Sequence, residues 1–187
     1  PVRGGISLST RRLNQIVRID GLNHQVVVQP GAIVQELQEA VQDKGLFYAV
    51  DPASRGTCTI GGNLAENSGG PRAVKYGVTK DWVLNLEVVL ADGTVIRTGA
   101  DTLKKSTGYN LTQLMVGSEG TCGVITEATL KLLPWPQYNA LLLVPFNDPA
   151  DACRAVAGLF MDGLQPSALE FMERAAIELA MAFTGDR

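Results

Sequence analysis

The chain has 187 residues, and its hydrophobic fraction of 45% and charged fraction of 19% predict a folded protein of one large domain or one and a half smaller ones. The formal net charge is −3 without a basic cluster, so the sequence gives no indication of nucleic-acid binding. The three cysteines follow no metal or disulfide spacing, and His24 is the only histidine, which excludes most metal sites and any histidine-based catalytic triad. No apolar run approaches the roughly 20 residues that span a bilayer, so a membrane-spanning helix is not predicted.

The first part of the chain has the pattern of an α/β building block. Residues 1–5 form a turn-like lead-in, and His24 lies in a predicted turn that begins at Asp20-Gly21. The valine-rich segment Gln25–Gln29 predicts a buried strand, and apolar residues at helical spacing from Ile33 to Val41 predict a helix that ends at Gly45. A short strand is predicted at Leu46–Val50, followed by the turn Asp51-Pro52-Ala53-Ser54.

Two glycine-rich stretches follow this turn. The first, Thr59–Gly70, predicts a short helix from about Asn63 to Asn67 with glycine at either side. Apolar runs on both sides of Asp92-Gly93 predict a hairpin of Trp82–Leu90 and Thr94–Thr98. A short helix at Leu111–Met115 then leads into the second stretch, Gly117–Gly123, and a strand at Val124–Leu133.

Pro134-Trp135-Pro136 is the strongest boundary signal in the chain. Beyond it the pattern predicts a strand at Ala140–Phe146, a helix that begins at Asn147-Asp148-Pro149 and ends near Gly163, a strand at Ser167–Phe171 and a helix at Ala175–Phe183. We therefore expect a separate α+β domain from residue 135 onward. Because the chain begins with proline and stops just after a helical pattern, we also expect that both ends were cut from a longer protein.

Adjacent glycines before a short helix remove Cβ contacts and leave backbone N–H groups for a ligand, of which phosphate or pyrophosphate is the natural one. Taken alone, Gly61-Gly62 is more often a simple turn. In the second stretch, Gly120 and Gly123 either form a tight turn between helix and strand or lie against a flat aromatic ligand. Neither stretch matches G-x-G-x-x-G or G-x-x-x-x-G-K-[ST], so a nicotinamide-binding Rossmann fold and a P-loop are not indicated.

Both stretches together resemble the FAD-binding domain of the vanillyl-alcohol-oxidase and p-cresol-methylhydroxylase (PCMH) type. Within that group the sequence is most similar to the FAD-linked subunit of glycolate oxidase and to D-lactate and D-2-hydroxyglutarate dehydrogenases. The resemblance is carried by Asp51-Pro52-Ala53-Ser54, by the run from Thr59 to Gly70 (TIGGNLAENSGG), by Lys75-Tyr76-Gly77 and by the run from Gly117 to Thr126 (GSEGTCGVIT).

The resemblance implies an α+β fold. Residues 1–134 would form the second lobe of a PCMH-type FAD-binding domain, with a mixed or antiparallel sheet and flanking helices. Residues 135–187 would be the truncated beginning of an α+β cap domain, the C-terminal domain of FAD-linked oxidases.

The resemblance also implies which residues contact FAD. The implied FAD-binding residues are Pro52, Ser54, Thr59, Gly61, Gly62, Asn63, Asn67, Glu119, Gly120, Gly123, Val124 and Ile125. For Asn67 the alternative is a helix C-cap, and for Glu119 it is a surface turn.

The implied activity is that of an FAD-dependent dehydrogenase that oxidises a small 2-hydroxy acid, such as glycolate or D-lactate, to the 2-oxo acid. An iron–sulfur partner subunit and a cytoplasmic location, peripheral to the inner membrane through partners, are further expectations of the resemblance. Two alternatives remain: another flavoenzyme of the same fold, of the alkyl-glycerone-phosphate synthase or aryl-alcohol oxidase type, and a non-catalytic flavin-domain fragment.

The sequence departs from the family pattern at both ends. The family's pyrophosphate loop normally precedes the position of Pro1, so we expect that the first lobe is missing. We also expect that this chain binds FAD weakly or not at all and that it is inactive alone. The substrate-side residues of the family, including metal-binding histidines, lie beyond Arg187, and no catalytic base is assigned. Glu170 and Glu173 are interpreted as surface carboxylates. Cys122 stands where the resembling proteins mostly have leucine, and we expect it to pack as a small hydrophobe.

Overall fold

The structure, a computed structural model, describes residues 4–185; the first part of the predicted lead-in, residues 1–3, lies outside them. The strands are β1 (Ile16–Asp20), β2 (Gln25–Val28), β3 (Leu46–Phe47), β4 (Val83–Val89), β5 (Val95–Arg97), β6 (Val124–Lys131) and β7 (Leu133–Pro134). The α-helices are α1 (Val34–Gln42), α2 (Ile60–Glu66), α3 (Ala73–Tyr76), α4 (Leu111–Met115), α5 (Pro149–Met161) and α6 (Arg174–Thr184).

Five of the strands form one antiparallel sheet in the order β1-β2-β6-β4-β5, and β3 pairs with β7 in a second, two-stranded sheet. The β1–β2 turn is closed by Asp20, whose Oδ1 accepts hydrogen bonds from the backbone N–H groups of Leu22 and Asn23. His24 ends the turn in the left-handed conformation, with φ 50°, which confirms that it is a turn residue.

One face of the large sheet is buried against the core, as the side-chain alternation of antiparallel strands allows. Val26, Leu86 and Leu130 lie on the buried face and join one core with residues of α1 and α2, including Leu37 and Leu64. The opposite face is mainly polar. On that face Val27, Asn85 and Thr129 are also buried, whereas Arg97 is exposed. There the Arg97 guanidinium pairs with Glu87 at 3.0 Å and with Glu127 at 2.9 Å, and these partners raise the pKa of Arg97.

Aromatic side chains form a cluster beside this core. The Trp82 ring is 1% exposed and meets Tyr48 edge-on, with 5.6 Å between the ring centroids. Its Nε1–H donates to the backbone oxygen of Tyr76 at 2.9 Å. Phe47 extends the cluster towards the surface, because it contacts Tyr76 and Trp135 at centroid distances of 5.5 and 5.6 Å.

Several predicted boundaries shift in the structure. The strand predicted at 46–50 pairs only over Leu46–Phe47, because the Gln38 side chain of α1 donates to the carbonyls of Tyr48 and Val50 that a neighbouring strand would otherwise use. The strand predicted at 124–133 is divided into β6 and β7. The predicted hairpin at 82–98 and the helix at Leu111–Met115 are confirmed.

After residue 135 the predicted helices are confirmed and the predicted strands are wrong. The α5 helix begins after Asp148, whose side chain accepts from the Ala150 N–H at 2.8 Å, and Gly163 follows its end with φ 79°. The segments 140–146 and 167–171 pair with no strand among residues 4–185. The physical reason is that a strand requires a partner edge, and Leu141 and Leu143 are instead 95% and 90% exposed. No helix in the described range has the length and apolarity to cross a membrane.

Candidate functional site

The fold brings the two glycine stretches together. The Gly117 N–H donates to the Leu64 oxygen at 2.8 Å, and the Glu119 N–H donates to the Ala65 oxygen at 2.9 Å. These carbonyls belong to the last turn of α2, where the backbone carbonyl groups of a helix have no N–H partner within the helix. The second stretch therefore supplies the hydrogen bonds that the end of α2 lacks, and a single surface contains both.

The turn at 51–54 is attached to the same surface through Asp51. The Asp51 carboxylate accepts from the Arg72 N–H at 3.3 Å and pairs with Arg72 Nε at 3.1 Å. Partial burial raises the pKa of Asp51, and the hydrogen bond and charge of Arg72 oppose that rise. Gly70 lies against the same residue: a Cβ there would stand 2.1 Å from the Asp51 backbone oxygen. The turn is thus locked to the segment that follows α2.

The start of α2 differs from the expectation in a way that concerns phosphate binding. The helix begins at Ile60 and not at Asn63, because Thr59 caps it: Thr59 Oγ1 accepts from the Gly62 N–H at 3.2 Å. The Ile60 N–H donates to the backbone oxygen of Ala32 at 2.9 Å, and the Gly61 N–H donates to the backbone oxygen of Pro30 at 2.7 Å. The expectation that the glycine pair leaves its N–H groups for a ligand is therefore wrong.

The glycines of the two stretches differ in their surroundings: some lie against other parts of the fold, and others face open space. A Cβ on Gly61 would stand 2.7 Å from Pro30 Cβ, and one on Gly123 would stand 2.7 Å from Val88 Cγ1, so both positions serve contacts inside the fold. Gly120, with φ 76°, would place a Cβ in open space, and Gly62 would meet only Thr59 Oγ1 at 3.6 Å. Gly62 and Gly120 are the members of this set that present bare backbone to the outside.

Free backbone donors also occur on this surface, at positions other than the start of α2. Ser54 is exposed and follows the buried Pro52, and its carbonyl accepts from the N–H groups of Thr57 and Cys58. The backbone N–H groups of Ser54 and Gly120 donate to no group in residues 4–185. These two N–H groups are therefore available to an acceptor on a ligand.

Asn63 is the least expected feature of the site. It is 2% exposed, and its Nδ2 has no hydrogen-bond partner among the described residues. Burying an amide without a partner costs about 1–3 kcal/mol, so such groups are rare unless something else satisfies them. A ligand acceptor beside α2 would satisfy this one.

Other residues implied by the resemblance have places that the fold itself explains. Asn67 is the C-cap of α2 in the left-handed conformation, and its Oδ1 accepts from the Lys80 N–H at 2.8 Å. Glu119 is exposed, with φ 51°. Val124 and Ile125 begin β6 opposite Val89 and Val88. Their contact with a cofactor stays a prediction.

The remaining chemistry-bearing residues give no further site. Cys58 and Cys122 are partly buried and pack against the core, as a small hydrophobe does. Glu170 and Glu173 are exposed, as predicted. No group of metal-ligating side chains occurs within residues 4–185. Sequence reasoning missed the Asp51–Arg72 pair; the available signal was an acidic residue directly before the turn at Pro52.

Comparison with protein families gives two matches along the chain. Residues 1–99 match the family described as FAD binding domain, and residues 135–187 match the family described as FAD linked oxidases, C-terminal domain. The chain belongs to the FAD binding domain family. FAD is the cofactor of this family, as the resemblance implied, and the antiparallel sheet with flanking helices agrees with its fold.

Relatives of the chain include enzymes that are named for small hydroxy acids. The chain is 47% identical to the glycolate oxidase subunit GlcD of Bacillus subtilis over 93% of its own length and 37% of the relative's. It is 41% identical to a D-lactate dehydrogenase of Anaerostipes hadrus over 98% of its own length and 38% of the relative's. The chain thus spans 37–38% of these relatives.

A solved structure is similar as well. An alkyldihydroxyacetonephosphate synthase superposes with a TM-score of 0.71 and 28% identity, over 84% of this chain and 28% of that one.

Proposed function

We propose that the protein is an FAD-dependent dehydrogenase that oxidises a small 2-hydroxy acid, such as glycolate or D-lactate, to the 2-oxo acid. In this proposal the chain supplies part of the FAD site. The unpartnered Asn63 amide beside two glycine stretches carries the cofactor half of the proposal. Relatives named glycolate oxidase subunit, D-lactate dehydrogenase and D-2-hydroxyglutarate dehydrogenase support the substrate class.

Different residues of the site would contribute to FAD binding in different ways. The Asn63 amide and the free N–H groups of Ser54 and Gly120 would donate to oxygen or ring-nitrogen acceptors of the cofactor. Gly62 and Gly120 would let the cofactor approach the backbone closely, whereas Gly61 and Gly123 would fix the shape of that backbone. FAD would supply the acceptor for the hydride equivalent, and the protein would hold and orient it.

Replacing Asn63 with leucine tests the cofactor half. Leucine has a similar volume and no polar group, so we expect the FAD-free protein to gain about 1 kcal/mol in free energy of unfolding. FAD affinity should fall about tenfold or more, since a buried donor to the cofactor is lost. Urea denaturation without FAD and a flavin-fluorescence titration measure the two effects.

The matched control is Asn147→Leu, the same substitution at an exposed asparagine outside the site. This control should change neither the free energy of unfolding nor the FAD affinity. An Asn63→Leu protein with unchanged FAD affinity would remove Asn63 from the proposed site. Tight retention of FAD by the 187-residue chain during purification would contradict the expectation that it binds FAD weakly.

Turnover of hydroxy acids tests the substrate half. The FAD-loaded full-length protein is assayed with glycolate, D-lactate and D-2-hydroxyglutarate and an artificial electron acceptor. We expect reduction of the acceptor with at least one of them. Propionate is the control, because it has the carboxylate but no 2-hydroxyl group to oxidise. Absence of turnover with all three acids would contradict the proposal.

A second candidate function is that of an alkyldihydroxyacetonephosphate synthase, favoured by the structural similarity at a TM-score of 0.71. The identity of 28% to that protein is lower than the 47% and 41% to the relatives named for glycolate and D-lactate, so the hydroxy-acid function is preferred. An iron–sulfur partner subunit and a cytoplasmic location stay predictions.

A further inference from the structure

A small cavity lies between α1, the turn after residue 51 and the first residue beyond β7. Its volume is about 70 Å³. Two of its walls are the rings of Phe47 and Trp135, which meet edge-on at 5.6 Å. The lining residues that carry polar groups are Gln38, Gln42, Tyr48, Arg55 and Arg72. Two guanidinium groups and two amides thus surround a space with aromatic walls.

The charges around this cavity do not balance. No residue that lines it is acidic. Arg72 pairs with Asp51 through Nε at 3.1 Å and stacks over Phe47 at 5.2 Å, and its Nη groups have no partner among residues 4–185. Arg55 has no ion pair in that range, yet it lies close enough to help lower the pKa of Asp51. Two positive charges therefore share one carboxylate, and N–H donors of both remain unused.

The amide groups of α1 are placed to support the arginines. Gln38 is held in one orientation because its Nε2 donates to the carbonyls of Tyr48 and Val50, at 3.3 and 2.9 Å. Gln42 stands one helical turn further on, and its amide has no partner in the described range. A donor from Gln42 and donors from two guanidinium groups border the same space without an acceptor.

We infer that this cavity binds a small carboxylate anion of two or three carbon atoms. At about 10–15 Å³ for each water-sized group, the cavity of about 70 Å³ has room for about five to seven non-hydrogen atoms, enough for acetate or glycolate. A planar carboxylate matches the geometry of the N–H donors of a guanidinium group. One carboxylate would also neutralise the single excess positive charge. Phe47 and Trp135 would pack against its carbon atoms. This site does not depend on FAD.

A larger concavity, of about 540 Å³, occurs on the polar face of the large sheet. Arg97 on its wall is already satisfied by Glu87 and Glu127. It therefore has no comparable excess of donors.

Acetate is the probe that separates this site from substrate binding, because acetate has no hydroxyl group to oxidise. Calorimetric titrations are run without FAD at constant ionic strength with acetate, acetamide and phosphate. We expect acetate to bind and acetamide not to bind, because only acetate carries the charge. Phosphate should bind more weakly than acetate, since it has no apolar part to place against the rings.

Arg55→Gln is the informative variant. The Arg55 side chain is exposed and unpaired. Its hydrogen bonds to the fold are made by the backbone, to the Gln35 N–H and the Pro52 oxygen, so the fold should persist when the side chain is changed. Loss of a charge-assisted hydrogen bond should weaken acetate binding about tenfold or more. Arg18→Gln, on β1, changes the net charge equally and should leave acetate binding unchanged. No acetate binding, equal binding of acetamide, tighter binding of phosphate or equal effects of the two variants would each overturn the inference.

Discussion

Replacing Trp82 with alanine is expected to lower the free energy of unfolding by about 3–5 kcal/mol. The indole is 1% exposed and lies between Tyr48 and Tyr76, at centroid distances of 5.6 and 6.4 Å. The substitution also leaves the backbone oxygen of Tyr76 without its donor. The lost contacts, the cavity and the lost hydrogen bond act in the same direction. Urea denaturation measures the change.

The other tryptophan of the chain is the matched control. Trp135 is 42% exposed and packs mainly against Phe47, so Trp135→Ala should cost about 1 kcal/mol. Trp82→Phe keeps an aromatic ring and removes the hydrogen bond, and it should fall between the two alanine variants. Equal urea midpoints for Trp82→Ala and Trp135→Ala would show that Trp82 is not central to the core.

Replacing Gly70 with alanine is expected to cost about 3 kcal/mol, at the upper end of the range for overpacking. The new Cβ would stand 2.1 Å from the Asp51 backbone oxygen, and backbone cannot move aside as a flexible side chain can. The turn at 52–54 would have to shift away from α2. We therefore also expect weaker FAD binding, because Ser54 would move relative to Asn63.

The control for Gly70→Ala is the same change at Gly158, inside α5, where a Cβ would meet nothing within 4 Å. Gly158→Ala should stabilise the protein by about 0.5–1 kcal/mol, since alanine favours a helix. Both variants are measured by urea denaturation and by flavin-fluorescence titration. If Gly70→Ala is as stable as the parent protein, the close approach to Asp51 does not constrain the turn.

Local patterns predicted much of the structure before residue 135 correctly. The first helix, the hairpin around Asp92-Gly93 and the turn at His24 each depend on residues close together in sequence, although α1 ends at Gln42, three residues before the predicted Gly45. The helix α2 begins at Ile60, earlier than predicted, because Gly61 and Gly62 lie inside it. A threonine cap and the contact with Pro30 outweigh the low helix propensity of glycine there.

After residue 135, local patterns predicted the helices but not the strands. An apolar run such as 140–146 has the composition of a strand, but a strand needs a partner, and no strand within residues 4–185 pairs with this run. The helices α5 and α6 need no such partner, since a helix satisfies its own backbone. Composition therefore predicted the helices of this region and failed for its strands.

By itself, the sequence determined the FAD binding domain family and the two glycine stretches, because a motif requires only residue types in a given order. It could not tell which glycines serve the fold. Only the tertiary structure decided that Gly61 and Gly123 make room for Pro30 and Val88, while Gly62 and Gly120 face outward. The same holds for the unpartnered Asn63 amide and the unbalanced arginines beside Trp135. Burial, close approach and hydrogen-bond pairing depend on residues distant in the chain, and only folding brings these together.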